Sequence, residues 1–385
     1  MEPVSVIVLS GFVAAGKTAL VRRLVDESDA ERVAVIELSS GCDGCSFRRR
    51  LTEAVERAAR AGQLQTILVE CSGSTDPLVV ADAFELEDAA GRRLSSIARL
   101  DHLVTVVDAV RFWEDYESGD TLGDRGLGRG LDDERALSEL LANQVECCTT
   151  LVLSKTDLVS DSARHRLERF LRRLNPDAGM LMAPSRAALW PVLQRAVETD
   201  EDRSSPTPGW MHLLTGPSLV EQDSEDGTTV VYRARRPFHP FRFWTLMQQE
   251  WRGVLRSKGY FWLASQPATC YMWSQAGGAC LYERLGRWWM AIPDAHWPKE
   301  PEALEELRQV WDLEFGDRRI ELAFIGEEID RVDLKRRLDA CLLTRAELAL
   351  DEELWRAFRD PFKKPTWEKR HMRSERHDLL PEEEG

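Results

Sequence analysis

The segment Gly11–Thr18 reads GFVAAGKT and decides the fold. It follows an apolar run, Val6–Leu9, that predicts a buried strand, and it precedes a helical pattern that starts near Lys17. Strand, glycine loop and helix in this order form a phosphate-binding P-loop. Glycines let the backbone turn tightly, so that successive N–H groups point at phosphate oxygens. The positive end of the following helix faces the same anion.

Two side chains of this loop supply specific chemistry. Lys17 is expected to reach the β and γ phosphates, and Thr18 offers its hydroxyl to Mg²⁺. The alternative is a chance glycine turn between a strand and a helix. The complete pattern in this context favours a nucleotide site. The residues expected to contact the nucleotide here are Gly11, Ala14, Ala15, Gly16, Lys17, Thr18 and Ala19.

Composition limits the classes of function. The chain has 385 residues, which favours two domains, and a net charge of −15, which disfavours nucleic acid or an anionic membrane as partner. No apolar run is long enough to span a membrane, and Met1-Glu2-Pro3 leads directly into the first strand without a signal peptide. The eight cysteines are expected to be reduced thiols, and the protein is expected to be cytoplasmic.

Short apolar runs alternate with helical patterns up to Trp190, which predicts an α/β fold with a doubly wound, mostly parallel sheet. After it, strands with aromatic faces, one at 288–290, and two helices predict a smaller C-terminal α+β domain. The glycine- and aspartate-rich stretch 117–135 is expected to be a mobile surface excursion. The expected organisation is a P-loop GTPase domain at 1–197, a linker at 198–227, the α+β domain at 228–350 and a charged tail at 351–385.

The tetrapeptide Ser154–Asp157 follows a later strand and resembles the guanine-reading N/TKxD signature of P-loop GTPases. The Asp157 carboxylate can accept hydrogen bonds from the ring N–H and the exocyclic amine of guanine, a donor pair that adenine lacks. The stem of Lys155 can lie along the base. Serine in place of Asn or Thr at 154 is expected to weaken a supporting contact. A solvated Lys/Asp turn is the alternative.

A second acidic motif, Glu70–Gly73, ends another strand. A carboxylate at this position faces the phosphates, so Glu70 is expected to hold Mg²⁺ through water or to orient the attacking water. The backbone N–H of Gly73 is expected to approach the γ-phosphate. Catalysis is therefore assigned to Lys17, Glu70 and Gly73, with the alternative that Glu70 only caps the next element.

Cys42 and Cys45 form a CxxC motif just before a helix. A helix N-terminus stabilises thiolates, and two thiolates with Asp43 or Glu37 can bind a cation such as Zn²⁺. A redox pair and two plain cysteines remain alternatives. The metal ligands expected from the sequence are Cys42, Cys45, Thr18, Glu70 and Glu37. His239, between two prolines, is expected either to contact a metal or partner or to fix a helix start.

Together these residues resemble the CobW-like GTPases, which are relatives of HypB and UreG. The resemblance runs from Val4 to about Leu348. In the first half it rests on Ser10-Gly11-Phe12, Gly16-Lys17-Thr18, Gly41-Cys42, Cys45, Glu70, Gly73, Val107-Asp108-Ala109, Gln144-Val145-Glu146 and Ser154–Leu158. In the second half it rests on Arg236–Pro240, Arg256–Ala264, Gly316–Arg319 and Glu321–Gly326.

The resemblance implies a metallochaperone that binds and hydrolyses GTP, with zinc as the metal most often implied and Mg²⁺ as cofactor. Four departures from the family pattern reduce the expected activity. Gly44 replaces the middle cysteine of the metal motif, and only Glu37–Ser40 remain of a usually longer segment before it. Ala14 and Ala19 replace a usual glycine and threonine. We therefore expect slow hydrolysis and weakened metal binding.

Several functional alternatives stay open at this stage. The main one is a GTP-dependent adaptor that does not hydrolyse the nucleotide and whose metal site has degenerated. A small-molecule kinase or other P-loop ATPase is a second, against which the Asp157 motif argues. The resemblance also implies a client metalloprotein that docks on the C-terminal domain, and a homodimer is a further expectation.

Overall fold

The computed structural model describes residues 3–28, 32–38, 44–60, 64–85, 93–128, 133–183, 190–191, 208–215, 223–224 and 227–363. The chain divides into two compact units, Met1–Thr215 and Gly216–Gly385. In the described part of the chain, no helix has the length and apolar character that a membrane span requires.

A fully parallel, six-stranded sheet forms the centre of the first unit, in the order β2-β3-β1-β4-β5-β6. Its strands are β1 (Val4–Ser10), β2 (Val33–Leu38), β3 (Thr66–Cys71), β4 (Ala98–Asp108), β5 (Thr150–Ser154) and β6 (Gly179–Met182). Its helices are α1 (Lys17–Glu27), α2 (Gly44–Arg60), α3 (Pro77–Glu85), α4 (Phe112–Glu117), α5 (Leu137–Glu146), α6 (Asp161–Leu174) and α7 (Gly209–Thr215). The predicted α/β fold with a parallel sheet is therefore confirmed.

The strand order explains why helices cover both faces of this sheet. From β1 the chain crosses over β3 to reach β2, and every later connection runs in the opposite direction across the sheet. Because such connections are right-handed, α1 lies on one face and α2, α3, α5 and α6 lie on the other. Leu20 and Leu24 of α1 pack with Leu9 of β1 in one buried cluster, together with Trp190. The P-loop is thus placed where the winding reverses, which is where open α/β sheets bind ligands.

Two parts of the first unit differ from the sequence-based expectation. The folded unit does not end at 197, because α7 follows and Trp210 within it is buried. The described residues of the stretch 117–135 form an ordered loop rather than a mobile excursion. Leu122 is fully buried there, and Arg125 contacts the carboxylates of Asp115 and Asp120.

An antiparallel six-stranded sheet forms the second unit, in the order β11-β10-β9-β12-β8-β7. Its strands are β7 (Asp223–Ser224), β8 (Gly227–Ala234), β9 (Val254–Phe261), β10 (Thr269–Ala276), β11 (Ala279–Arg287) and β12 (Ile320–Gly326). Its helices are α8 (Pro240–Met247), α9 (Pro301–Gln309), α10 (Arg331–Asp339), α11 (Arg345–Leu348) and α12 (Glu352–Trp355). This is the separate C-terminal α+β domain that the sequence predicts.

Aromatic side chains build the core of this second unit. Phe243 of α8 lies 4.2 Å from Phe238 and 5.0 Å from Phe261, measured between ring centroids. Trp355 and Phe362 belong to the same buried core, so the fold continues at least to Lys363. The expected charged tail from 351 therefore begins too early, because two large apolar side chains anchor this charged segment.

The expected strand at 288–290 is also wrong. Trp289–Ala291 form a turn of 3-10 helix instead. The carboxylate of Asp317 accepts hydrogen bonds from the backbone N–H groups of Trp289 and Met290, both at 2.8 Å. Those two donors are therefore occupied by a side chain and cannot join a sheet ladder.

His239 fixes the start of a helix. Its Nδ1 accepts the backbone N–H of Arg242 at 3.4 Å, and its ring stacks on Phe358 at 4.8 Å. Burial, together with the nearby Arg242 guanidinium, lowers the pKa of His239. Of the two roles expected from the sequence, these contacts account for the structural one.

Candidate nucleotide site

The P-loop has the backbone shape that its glycines predict. Gly11 has φ 128°, and a Cβ there would lie 2.3 Å from the carbonyl oxygen of Val106, so no side chain fits. Gly16 has φ 104° and precedes α1, which begins at Lys17. Ala14 has φ 60°, a left-handed conformation that is unfavourable for alanine. The loop is therefore wound tightly enough to direct its amides toward an anion at the N-terminus of α1.

The Lys17 ammonium lies inside this loop. It is 7% exposed and donates to the carbonyl oxygens of Gly11 at 2.7 Å and Phe12 at 2.9 Å. Burial lowers the pKa of Lys17, while the carboxylate of Glu70 acts in the opposite direction. No carboxylate of the described residues is within ion-pair distance of its Nζ. A buried cation bonded only to neutral carbonyls can be further stabilised by an anion.

Thr18 and Glu70 form a pair of oxygen ligands beside the loop. Thr18 Oγ1 donates to Glu70 Oε1 at 2.6 Å. Glu70 is located near the end of β3, and Glu37 is its register neighbour on β2. Residues paired across parallel strands project to the same face, so both glutamates belong to the face that α1 covers. Hydroxyl and carboxylate oxygens are the ligands that Mg²⁺ prefers.

Gly73 is in direct contact with the P-loop. A Cβ on Gly73 would lie 2.5 Å from both the backbone nitrogen and the Cγ2 of Val13. Only glycine allows this approach. The loop after β3 therefore contacts the P-loop at Val13, and the assignment of the Gly73 N–H to the γ-phosphate remains a prediction.

The segment Ser154–Asp157 is attached to the P-loop by hydrogen bonds. Ser154 Oγ donates to the carbonyl of Ala15 at 2.7 Å, so serine makes a supporting contact with the P-loop. Lys155, with φ 56°, donates from Nζ to the carbonyl of Ala14 at 3.0 Å. Asp157 is exposed, and among the described residues no donor occupies its carboxylate.

Asp108 is a site residue whose role the sequence did not reveal. It ends β4 and is buried, and its Oδ2 accepts Lys155 Nζ at 2.5 Å. Its Oδ1 accepts the backbone N–H of Val110 at 2.9 Å. Because β1, β3, β4 and β5 are adjacent and parallel, their carboxyl ends bring the motifs of these four strands to one edge of the sheet.

The side chains of the two expected cysteine ligands are not described in the structure. Cys42 lies outside the described residues, and Cys45 is within α2 but its side chain is not described. Glu37 is exposed on the edge strand β2. Among the described residues, no group of three or more His, Cys, Asp or Glu side chains could bind a metal ion. The zinc site expected from the sequence therefore remains a prediction.

Fold and site together define a P-loop nucleotide-binding protein. Comparison with protein families identifies which class of P-loop protein it is. The nucleotide-binding domain of CobW/HypB/UreG matches residues 5–37 and 35–182, and the cobalamin synthesis protein cobW C-terminal domain matches residues 228–342. The two pieces of the first match meet in β2. The short segment Glu37–Ser40, which the resemblance to CobW-like GTPases leads us to expect to be longer, begins at the same place.

Two relatives that match over most of the chain agree with this assignment. The chain is 31% identical over 400 residues to the zinc-regulated GTPase metalloprotein activator 1 of Dictyostelium discoideum, covering 94% of this chain and 84% of that protein. It is 27% identical over 363 residues to a zinc chaperone of Mycobacterium tuberculosis, covering 91% and 84%. The Zn(II)-bound YjiA GTPase of E. coli is 18% identical and has a TM-score of 0.41, with coverage of 89% and 100%. This chain belongs to the CobW/HypB/UreG family.

Proposed function

We propose that this protein binds GTP with Mg²⁺ and hydrolyses it slowly, and that the nucleotide state controls the transfer of a metal ion to a client metalloprotein. The observation that carries the proposal is the assembly, at one sheet edge, of a buried cation, a Thr–Glu oxygen pair and a base-reading motif. We propose zinc as the metal, because relatives covering over nine-tenths of the chain carry zinc in their names. We place the activity in the cytoplasm, where buried thiols such as Cys71 and Cys148 stay reduced.

The phosphate end of the site follows from the Lys17 geometry. Oxygens of the β and γ phosphates compete with the carbonyls of Gly11 and Phe12 for the ammonium, and charged acceptors form the stronger hydrogen bonds. Thr18 and Glu70 fit Mg²⁺, directly or through water, because their oxygens are already 2.6 Å apart beside the loop. When bound, Mg²⁺ neutralises charge that develops on the phosphates during hydrolysis.

Hydrolysis breaks the bond between the γ phosphorus and the bridging oxygen. A water oxygen forms the new bond to phosphorus, and GDP leaves with the bridging oxygen. In this proposal Lys17 and the backbone N–H of Gly73 stabilise the transferring group, and Glu70 orients the water or the metal. The shortened segment after β2 removes part of the expected switch loop, which is why we propose a slow reaction.

Guanine selection is assigned to Asp157. Its exposed carboxylate can accept two hydrogen bonds from guanine, and Lys155 is kept nearby by Ala14 and Asp108. We expect calorimetric titration to show GTP binding in preference to ATP. The Asp157→Asn substitution should weaken GTP binding about a hundredfold, because two charge-assisted hydrogen bonds of roughly 1.5–3 kcal/mol each are replaced by poorer ones.

The control for that titration is Asp161→Asn, which alters an exposed carboxylate at the start of α6. It should leave the GTP and ATP affinities unchanged. If the parent protein binds ATP as tightly as GTP, or if Asp157→Asn binds GTP like the parent, guanine selection by Asp157 is wrong and an ATPase or kinase is favoured.

The metal proposal joins Cys42 and Cys45 to the nucleotide state. We propose that GTP orders the segment that bears them, with Glu37 on the neighbouring strand, and that hydrolysis releases the ion to a client docked on the second unit. Two sulfur ligands and a carboxylate suit zinc. A homodimer would supply further ligands from a second copy of the same segment.

The test is zinc titration into the GTP-bound and GDP-bound protein, with turnover measured in parallel. The parent should bind zinc with different affinities in the two states, and Cys42→Ser/Cys45→Ser should lose that binding. Cys270→Ser, which changes a half-buried cysteine of the second unit, is the control. Zinc stoichiometry near zero with turnover no faster than buffer would favour the non-hydrolysing adaptor.

A further inference from the structure

Gln144 contacts the loop that follows β3. It is located in α5 and is 1% exposed. Its Nε2 donates to the carbonyl oxygens of Gly73 and Thr75, both at 3.2 Å. The loop that approaches the P-loop is thus bonded on its other side to a helix distant in sequence.

The chemistry of the partners fixes the orientation of this amide. Both acceptors are carbonyl oxygens, so only the NH₂ group of the glutamine can face them. A buried amide that donates both its hydrogens to one short loop defines the position of that loop.

Gln144 is itself anchored to the central sheet. The hydroxyl of Thr105 on β4 donates to the backbone carbonyl of Gln144 at 2.7 Å. Since β4 pairs directly with β1, which leads into the P-loop, this hydroxyl ties the Gln144 turn of α5 to the strand beside the site. The sheet that positions Lys17 therefore also positions the side-chain amide of Gln144.

The contact with the P-loop leaves Gly73 little freedom. Gly73 lies so close to Val13 that a Cβ would be 2.5 Å from the Val13 nitrogen. Within the loop, the hydroxyls of Ser72 and Thr75 are 2.8 Å apart. A displacement of the loop must therefore change either the contact with the P-loop or the hydrogen bonds to Gln144.

The interior beside the Gln144 side chain is not fully packed. A cavity is lined by Phe12 and Val13 of the P-loop and by Leu141, Gln144 and Val145 of α5. Where a cavity replaces close packing, few van der Waals contacts resist a small movement. Packing therefore restrains the Gln144 side chain weakly on this side, and its contact with the loop depends on its two hydrogen bonds.

We propose that Gln144 is a positioning residue that sets the distance of the Gly73 amide from the γ-phosphate and so gives the site its preference for GTP over GDP. This rests on the proposed function, because Gly73 is assigned there to the γ-phosphate. Gln144 itself does not touch the nucleotide. We therefore also expect binding of the γ-phosphate to affect α5 through the hydrogen bonds of Gln144.

The experiment compares Gln144→Met, which keeps the volume and removes the donors, with Gln144→Glu, which turns a carboxylate toward two carbonyls. Turnover and the affinities for GDP and a non-hydrolysable GTP analogue are measured for each. We expect turnover and analogue affinity to fall about tenfold in Gln144→Met, because a displaced Gly73 loses its hydrogen bond to the charged γ-phosphate, and further in Gln144→Glu. GDP affinity should stay within about twofold, since Gly73 serves only the γ-phosphate.

A matched control is Gln275→Met in the second unit. Gln275 is 2% exposed and donates to the carbonyl of Gly277 at 2.8 Å, so the substitution removes a similar buried bond. It should lower thermal stability without changing turnover or the ratio of analogue to GDP affinity. A purely structural role for Gln144 would give the same pattern as this control and would overturn the proposal.

A second measurement covers the case in which the Gln144 variants do not fold. Hydrogen exchange of the parent protein should show the amides of residues 72–76 better protected with the GTP analogue than with GDP. Equal protection in the two states would overturn the inference. A parent protein that binds neither nucleotide would overturn the proposed function as well, whereas normal GTP turnover with an unaffected Gln144→Met would overturn this inference alone.

Discussion

Cationic side chains have different partners in the two units. In the first unit, Lys17 donates only to the neutral carbonyls of Gly11 and Phe12. In the second unit, Arg242 forms two 2.8 Å hydrogen bonds with the two carboxylate oxygens of Glu347, and Arg318 Nη1 is 2.7 Å from Glu352 Oε1. A cation paired with a carboxylate is electrostatically complete, whereas one bonded to carbonyls at a glycine loop can still accept an anion.

The two units also differ in where the backbone is strained. Among the described residues, non-glycine left-handed conformations occur at Ala14, Lys155 and Glu328. The first two are in the candidate site, while Glu328 is in a turn after β12. Strain of this kind persists where the surrounding structure enforces it, often at functional sites. In the candidate site, therefore, a cation without a carboxylate partner occurs together with backbone strain, whereas Arg242 and Arg318 of the second unit are paired with carboxylates.

The largest expected effect comes from exchanging one cation in each unit for methionine. Lys17→Met should weaken GTP binding by a hundredfold or more, because charge-assisted hydrogen bonds to phosphate are worth about 1.5–3 kcal/mol each. Its unfolding midpoint should not fall. A lysine whose pKa is lowered by folding reduces the free energy of unfolding at every pH below its ordinary pKa of 10.5, and therefore also at pH 7.

The counterpart is Arg256→Met. Arg256 is fully buried on β9 and donates to Ser274 Oγ at 2.8 Å. Its loss should reduce the free energy of unfolding by about 2 kcal/mol or more, because buried acceptors lose their donor. GTP affinity of the folded fraction should be unchanged. Calorimetric titration and denaturant melts measure both quantities, and the comparison fails if Lys17→Met destabilises the protein while retaining GTP.

Local motifs explain how much of this could be predicted from sequence. The P-loop depends on residues within one octapeptide, and the parallel sheet follows from the alternation of strands and helices, so both were predictable. The contact of Gln144 with Gly73 spans 71 residues of sequence. Its register is set by the packing of α5, which no local pattern encodes.

The errors in the second unit have the same physical origin. Asp317, more than 25 residues away in sequence, accepts hydrogen bonds from the N–H groups of Trp289 and Met290. The apolar run therefore forms a turn and not a strand. Phe362 contacts Tyr282 with ring centroids 4.7 Å apart, which fixes a segment whose charge suggested a free tail. Propensity fails in both places because a single distant side chain determines the local structure.

A smaller effect, on stability alone, tests the ion pair between Arg242 and Glu347 in the second unit. Arg242 and the backbone of Thr344 lower the pKa of Glu347 to about 2. A carboxyl whose pKa is lowered by folding contributes stability above its ordinary pKa of 4.5, and this contribution is lost as the pH falls through about 2. Glu347→Gln should therefore cost about 1–3 kcal/mol at pH 7 and almost nothing near pH 2.

Tryptophan fluorescence suits this measurement, because ten of the thirteen tryptophans follow residue 216. Denaturant melts at pH 7 and near pH 2 give the free energy of unfolding of each variant. Glu302→Gln, at an exposed position of α9, should change neither value. An equal cost of Glu347→Gln at both pH values would show that the side chain acts by packing and not through its charge.

The smallest expected effect concerns the strain at Ala14. A left-handed alanine costs about 1–2 kcal/mol, and glycine removes this cost. Glycine also raises the entropy of the unfolded chain by roughly 0.4–1 kcal/mol, so Ala14→Gly should raise the free energy of unfolding by less than about 1 kcal/mol. Ala15→Gly, at a buried neighbour without a positive φ, should lower it by about 0.5–1 kcal/mol. Denaturant melts of the two variants side by side measure the difference. The same sign for both substitutions would mean that the P-loop stores no strain at Ala14, and the contrast between the two units would then rest on charge pairing alone.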